Sequence, residues 1–118
     1  VSHLRNSQNL VKLLKKIIEL EKNCKWLKAA ELYEKTSTIA LENKDFLKAY
    51  EFLIKKGNCI SKAVRQAISV SDYKSRLKLA IKAFTLASES LEKCDEETVE
   101  AKKNHAKARI SMMNFILA

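Results

Sequence analysis

No proline occurs in the 118 residues of this chain, and glycine occurs once, at Gly57. Folds that reverse direction every few residues need side chains that preset a bend or tolerate positive φ, so most strand-turn-strand architectures are excluded. Phosphate-cradling loops are excluded on the same ground, because they bring backbone close to a ligand through several glycines. What remains is a chain of long helices joined by short polar breaks. The length is that of one core, so residues 1–118 read as a single helical domain able to fold without disulfide or metal. The chain starts at Val1 and ends on Phe115-Ile116-Leu117-Ala118, which reads as a domain excised from a larger protein.

Apolar residues recur at helical spacing almost from end to end, and period-two alternation is absent. From about Ser7 to Lys22, Leu10, Leu13, Leu14, Ile17 and Ile18 share a face, with Lys12, Lys15, Lys16 and Glu19 opposite. A second helix carries Trp26, Ala29, Ala30, Tyr33, Ser37 and Ala40 and ends near Glu42. Asn43-Lys44-Asp45 breaks the pattern, and Asp45 is expected to cap the third helix through its carboxylate. There Phe46, Tyr50, Leu53, Gly57, Ile60, Val64 and Ala67 keep one phase. Gly57 falls inside this stripe, which favours a continuous helix with a close packing contact; two shorter helices meeting at Gly57-Asn58 are the alternative.

Ser71-Asp72 is expected to cap the fourth helix, with Tyr73, Leu77, Ala80, Ile81, Phe84, Ala87 and Leu91 inward. The fifth runs from about Glu96 to Leu117, with Val99, Ala106, Ile110, Met113 and Leu117 inward. The expected fold class is all-α, an antiparallel array of about five helices. The last two helices carry a second apolar stripe: Leu79, Ala83 and Leu86 in the fourth, and Ala101, Ala108, Met112 and Phe115 in the fifth. A helix apolar on two sides is sandwiched or presents one side to something else. The sandwich is expected for the fourth. The second face of the fifth must meet the first helix, another copy or a partner.

The stretch Trp26-Leu-Lys-Ala-Ala-Glu-Leu-Tyr-Glu-Lys35 is echoed twenty positions on by Phe46-Leu-Lys-Ala-Tyr-Glu-Phe-Leu-Ile-Lys55. A weaker echo links Leu47-Lys48-Ala49-Tyr50 to Ile81-Lys82-Ala83-Phe84. Such echoes mark helical arrays, in which each unit covers its neighbour with the same kinds of side chain. Asp45-Phe46-x-x-Ala49 and Lys25-Trp26-x-x-Ala29 resemble the Asp-aromatic-x-x-Ala start of the second helix in tetratricopeptide-like repeats. The stretch from Trp26 to Ala63 is similar in texture to the soluble NSF attachment proteins. It departs from the standard repeat in having no closing proline, no Trp-x-x-Leu-Gly-x-x-Tyr pattern and longer helices. A second resemblance, from Trp26 through Phe84-Thr-Leu-Ala-Ser-Glu-Ser-Leu91, is to microtubule-interacting-and-trafficking domains. Both families imply a non-enzymatic adaptor that grips helical segments of other proteins.

Lys plus Arg number 23 against 14 Asp plus Glu, a net charge of +9. Acidic partners are favoured: an acidic protein surface, an anionic membrane surface or nucleic acid. Lys48, Lys55 and Lys62 recur every seven residues on the third helix, and Lys74, Lys78 and Lys82 every four on the fourth. Neighbouring helices could join these stripes into one basic surface; a merely solvated face is the alternative. No aromatic residue interleaves the lysines and arginine is scarce, which counts against nucleic-acid readout. Cys24, Cys59 and Cys94 are too far apart for a metal finger, and His3 and His105 add no paired ligand. They read as reduced thiols in an intracellular setting, cytoplasmic or nuclear. No stretch approaches the ~18 apolar residues of a membrane span. No carboxylate pair or Cys–His arrangement follows from the spacing, so no catalytic residues, cofactor or metal is expected.

The reading is a protein–protein interaction module that docks an acidic or amphipathic helix. Lys48, Lys55, Lys62, Lys74, Lys78 and Lys82 would steer the partner, and Met112 and Phe115 would anchor it. The alternatives are a nucleic-acid-binding accessory domain using the same lysines, and self-association through the last helix.

Overall fold

The computed structural model describes residues 2–94 and 99–118. Within them the chain forms α1 (Ser2–Lys22), α2 (Trp26–Glu42), α3 (Phe46–Val64), α4 (Val70–Glu92) and α5 (Val99–Leu117). There is no strand among the described residues. The helix expected from Ser7 starts at Ser2, because residues 2–6 contain neither glycine nor proline to stop it. Glu96, the expected start of the last helix, lies outside the described residues, as do Asp95, Glu97 and the side chains of Val99, Glu100 and Ala101.

The twenty-residue echo extends to the backbone. After α1, Cys24 N–H donates to Glu21 O and Lys25 N–H to Leu20 O; after α2, Lys44 N–H donates to Leu41 O and Asp45 N–H to Ala40 O. These paired bonds are the Schellman closure of a helix end. Its central residue must adopt the left-handed conformation, and Cys24 (φ 56°) and Lys44 (φ 57°) do so without being glycine. Asp45 then accepts from Lys48 N–H at 3.2 Å, which is the expected cap of α3.

The cap of α4 is Ser69 rather than Ser71-Asp72. Ser69 is extended (φ −145°, ψ 160°), and its hydroxyl accepts from Asp72 N–H at 3.0 Å. Ser69-x-x-Asp72 therefore forms the start signal, with the Asp72 carboxylate in the first turn, where the helix dipole favours it.

Each helix packs chiefly on its neighbours in sequence, and α3 against α4 most extensively. Sideways, Tyr50 Oη of α3 donates to Lys102 O of α5 at 3.3 Å, and Cys59 Sγ of α3 to Glu21 Oε2 of α1 at 3.7 Å. A groove bounded by Glu34, Ser37 and Leu41 of α2 and Leu86 and Glu89 of α4 runs along the other side. The helices thus form two layers, α1–α3–α5 and α2–α4, in a slab measuring 47 × 34 × 18 Å.

Phe84, Ile17, Leu77 and Leu91 are the large apolar side chains sealed most completely. Buried alanines at 29, 30, 49, 63, 80, 83 and 87 let the layers approach closely. Helix α3 runs unbroken through Gly57, where a Cβ would lie 2.5 Å from Phe84 Cε1. Glycine is needed there for the Phe84 ring, not for a turn. Two residues expected inside are not: Ile18 is 56% exposed, at the edge of the α1 stripe, and Tyr73 is 40% exposed, in the first turn of α4 beyond the packed layer. The expected sandwiching of the second α4 stripe holds only for Ala83, since Leu79 and Leu86 face outward.

Candidate functional site

The α3 helix buries Ala49, Leu53, Gly57, Ile60 and Val64. At 3.6 residues per turn, this leaves Lys48, Lys55 and Lys62 on the side away from the Gly57–Phe84 contact. All three are exposed, on the outer surface of the α1–α3–α5 layer. Lys48 Nζ lies 3.8 Å from Glu51 Oε2 within the same helix. Lys62 Nζ is held 4.4 Å above the Trp26 ring, an attraction that fixes where its charge sits.

On α4 the buried set Leu77, Ala80, Phe84, Ala87 and Leu91 turns Lys74, Lys78 and Lys82 the other way. Those three share a shallow surface with Ser71, Ser75 and Leu79 of their own helix and with no residue of α3. The two lysine stripes therefore do not merge. Because α3 and α4 bury their apolar faces against each other, the charged faces diverge.

What the structure brings beside the α3 stripe is α5. Asn58, Ser61 and Lys62 of α3, Arg65 at its C-cap and Arg109 of α5 line a cleft of 330 Å³. One turn beyond Arg109, Met112 is 58% exposed, and Phe115 and Ile116 are 83% and 43% exposed on the same flank of the helix. The inward side of α5 holds Ala106 and Met113. A helix that buries one stripe and leaves a second in water has unsatisfied apolar surface, with cations beside it.

Arg65, Arg109 and Ile116 were not singled out from sequence. Arg65 continues the Lys62 position by one turn, and Arg109 precedes Met112 by three residues, so helical spacing carried the signal. Asn58 Oδ1, in the same cleft, is buried with no hydrogen-bond partner, a cost of about 1–3 kcal/mol.

A buried polar cluster nearby joins α1, α2 and α3. Tyr33 Oη donates to Glu21 Oε1 at 3.0 Å, and Cys59 Sγ approaches Glu21 Oε2. Burial, then the Glu21 charge, pushes the Tyr33 hydroxyl well above its ordinary range. The same two causes push the Cys59 thiol from 9.0 up to about 12. Such a thiol stays protonated near neutral pH and is a poor nucleophile. It acts here as a donor that ties three helices together. Cys24 is exposed, Cys94 is half-buried, and neither is paired. Among the described residues no three His, Cys, Asp or Glu groups come together as metal ligands. His105 is exposed on α5.

No protein family, curated protein or solved structure matches this chain.

Proposed function

We propose that the domain is a non-enzymatic docking platform that binds an acidic, amphipathic helical segment of another protein. The segment would lie on the outer face of the α1–α3–α5 layer. The observation that carries this reading is the exposed Met112, Phe115 and Ile116 alongside the Lys62, Arg65 and Arg109 cleft. Full burial of a phenylalanine side chain contributes about 1.5–3 kcal/mol, so Phe115 alone is a sizeable anchor. The cations beside it would orient an acidic partner and speed its encounter.

Of the residues expected to bind, Lys55, Lys62, Met112 and Phe115 belong to this platform. Lys48, at the far end of the stripe, would contribute to the diffuse field. Lys74, Lys78 and Lys82 lie elsewhere and are assigned no part in docking. The likeness of Asp45-Phe46-x-x-Ala49 to tetratricopeptide-like repeats supports an adaptor role in the same sense. The setting proposed is intracellular, where the unpaired Cys24 would remain reduced. Among the described residues no helix is long and apolar enough to cross a membrane.

The test is selection from a displayed peptide library, followed by calorimetry on the enriched sequences. Enrichment of acidic peptides with apolar residues at i, i+3 and i+4 is expected. Phe115→Ala is expected to weaken them by about tenfold or more, as loss of a buried aromatic anchor implies. Unchanged affinity in Phe115→Ala, with helicity preserved, refutes the placement of the surface.

A further inference from the structure

Resting on the docking reading, we propose that the cleft between α3 and α5 is a phosphoryl-binding site, and that it takes a phosphorylated side chain of the docked segment. Lys62, Arg65 and Arg109 line it together with two neutral polar residues, and no acidic residue lines it. None of the three cations pairs with a carboxylate among the described residues. The chain has only four arginines, and two of them, far apart in sequence, meet in this one cleft. A guanidinium presents a planar fork that grips two oxygens of an oxyanion at once, which an ammonium does not. Lys62 adds a point charge already positioned by Trp26.

One carboxylate is satisfied by one arginine fork. Cations converging from two helices suit a group with three terminal oxygens and nearly two negative charges. A phosphorylated side chain is favoured over a polynucleotide for two reasons. The cations meet in one pocket instead of following a backbone track, and the outlying Lys48 is engaged by Glu51. The surface that continues from the cleft is also apolar, formed by Met112, Phe115 and Ile116, and suits the side chains of an amphipathic peptide.

The experiment titrates inorganic phosphate into the ¹⁵N-labelled domain at constant ionic strength, following the Nε–H resonances of Arg65 and Arg109. Saturable shifts at both arginines are expected, weakened about tenfold by Arg65→Gln or Arg109→Gln, as loss of a charge-assisted fork implies. Lys78→Gln, on the other layer, is expected to leave them unchanged. Shifts that never saturate, or that spread equally over the surface lysines, overturn the site. A degenerate phosphoserine and phosphothreonine peptide library, its dephosphorylated counterpart and a mixed-sequence oligonucleotide then identify the source. Preferential capture of the phosphorylated library, lost in Arg109→Gln, supports the proposal. Equal capture of both libraries overturns the phosphoryl inference while leaving the docking platform in place, and an oligonucleotide that displaces the phosphopeptides overturns the peptide assignment. Inorganic phosphate reports on the cleft alone and Phe115→Ala on the apolar surface alone, so the two readings fail separately.

Discussion

Replacing Gly57 with alanine sets two effects of opposite sign against each other. Alanine inside a helix is favoured over glycine by about 1 kcal/mol, so propensity alone predicts stabilisation. The added methyl would sit 2.5, 2.6 and 2.9 Å from three atoms along one edge of the Phe84 ring. Carbon atoms pack at about 3.5–4.0 Å, so the ring would have to retreat by about an ångström. Phe84 is fully buried and lies in the most extensive helix–helix contact of the molecule, so it has nowhere to go without prying α3 from α4. Overpacking costs about 1–3 kcal/mol, and a clash with a whole ring edge belongs in the upper part of that range. The expected net effect is destabilisation by about 1–2 kcal/mol, after subtracting the propensity gain. Urea unfolding followed at 222 nm reads it as a lower midpoint with an unchanged slope. Phe84→Leu, which makes room, should be less costly in the Gly57→Ala background than alone, with a coupling of about 1 kcal/mol. A Gly57→Ala variant more stable than the parent would falsify the packing argument, since propensity would then have acted unopposed.

Lys44 holds a left-handed conformation that costs a non-glycine residue about 1–2 kcal/mol, and its side chain is exposed. Lys44→Gly should therefore stabilise the fold by about 0.5–1 kcal/mol once the greater freedom of glycine in the unfolded chain is deducted, read as a higher urea midpoint; a lowered midpoint would count against the Schellman assignment. Arg76 Nη1 donates to Ala63 O at 2.6 Å, placing a charge at the negative end of α3. Arg76→Met should cost about 1–2 kcal/mol and speed amide exchange in the last turn of α3, and unchanged exchange would mean the bond is idle in solution. Cys59 is raised from 9.0 to about 12, and Tyr33 and Tyr50 are also raised by burial. Protons then leave the unfolded chain before the folded one as pH rises. Stability is full below about pH 9 and is lost between pH 9 and 12, and Cys59→Ala should flatten the early part of that decline. Equilibrium unfolding at pH 7, 9 and 10.5 measures it, and a flat profile would show that these groups are not sequestered.

Most of the fold is legible because the chain is written in one period. Five stripes at 3.6-residue spacing, with few residues able to bend a chain, leave little besides an antiparallel array. The echo from Trp26 to Phe46 extends further than its side chains suggest, since the helix ends that precede it close with the same hydrogen bonds. Where the reading went astray, the cause was local. Ser69, Ser71 and Asp72 all have capping chemistry, and only the extended backbone at Ser69 decides among them. Ile17 and Ile18 are adjacent and equally apolar, yet the first is 1% exposed and the second 56%, because an angular step of 100° separates core from edge.

The surface was harder to read, and the reason is geometric. In a two-layer array, helices adjacent in sequence sit in opposite layers and press their apolar faces together. Their polar faces therefore point apart, and no surface can be assembled from the outer stripes of α3 and α4. A surface on such a slab is built from alternate helices, here α1, α3 and α5. Lys62 and Arg65 thus belong with Arg109, more than forty positions away, and not with Lys74 just beyond them. Periodicity within one helix reveals which residues face outward, and that much was visible at Met112 and Phe115. Which outward faces become neighbours depends on the layer to which each helix is assigned. That assignment is fixed by contacts such as Tyr50 with Lys102 and Cys59 with Glu21, which no spacing rule foretells. Moving the α3 stripe to the other layer would break the cleft without changing the composition, the net charge or any hydrophobic pattern. The proposed docking surface thus resides in the pairing of α3 with α5.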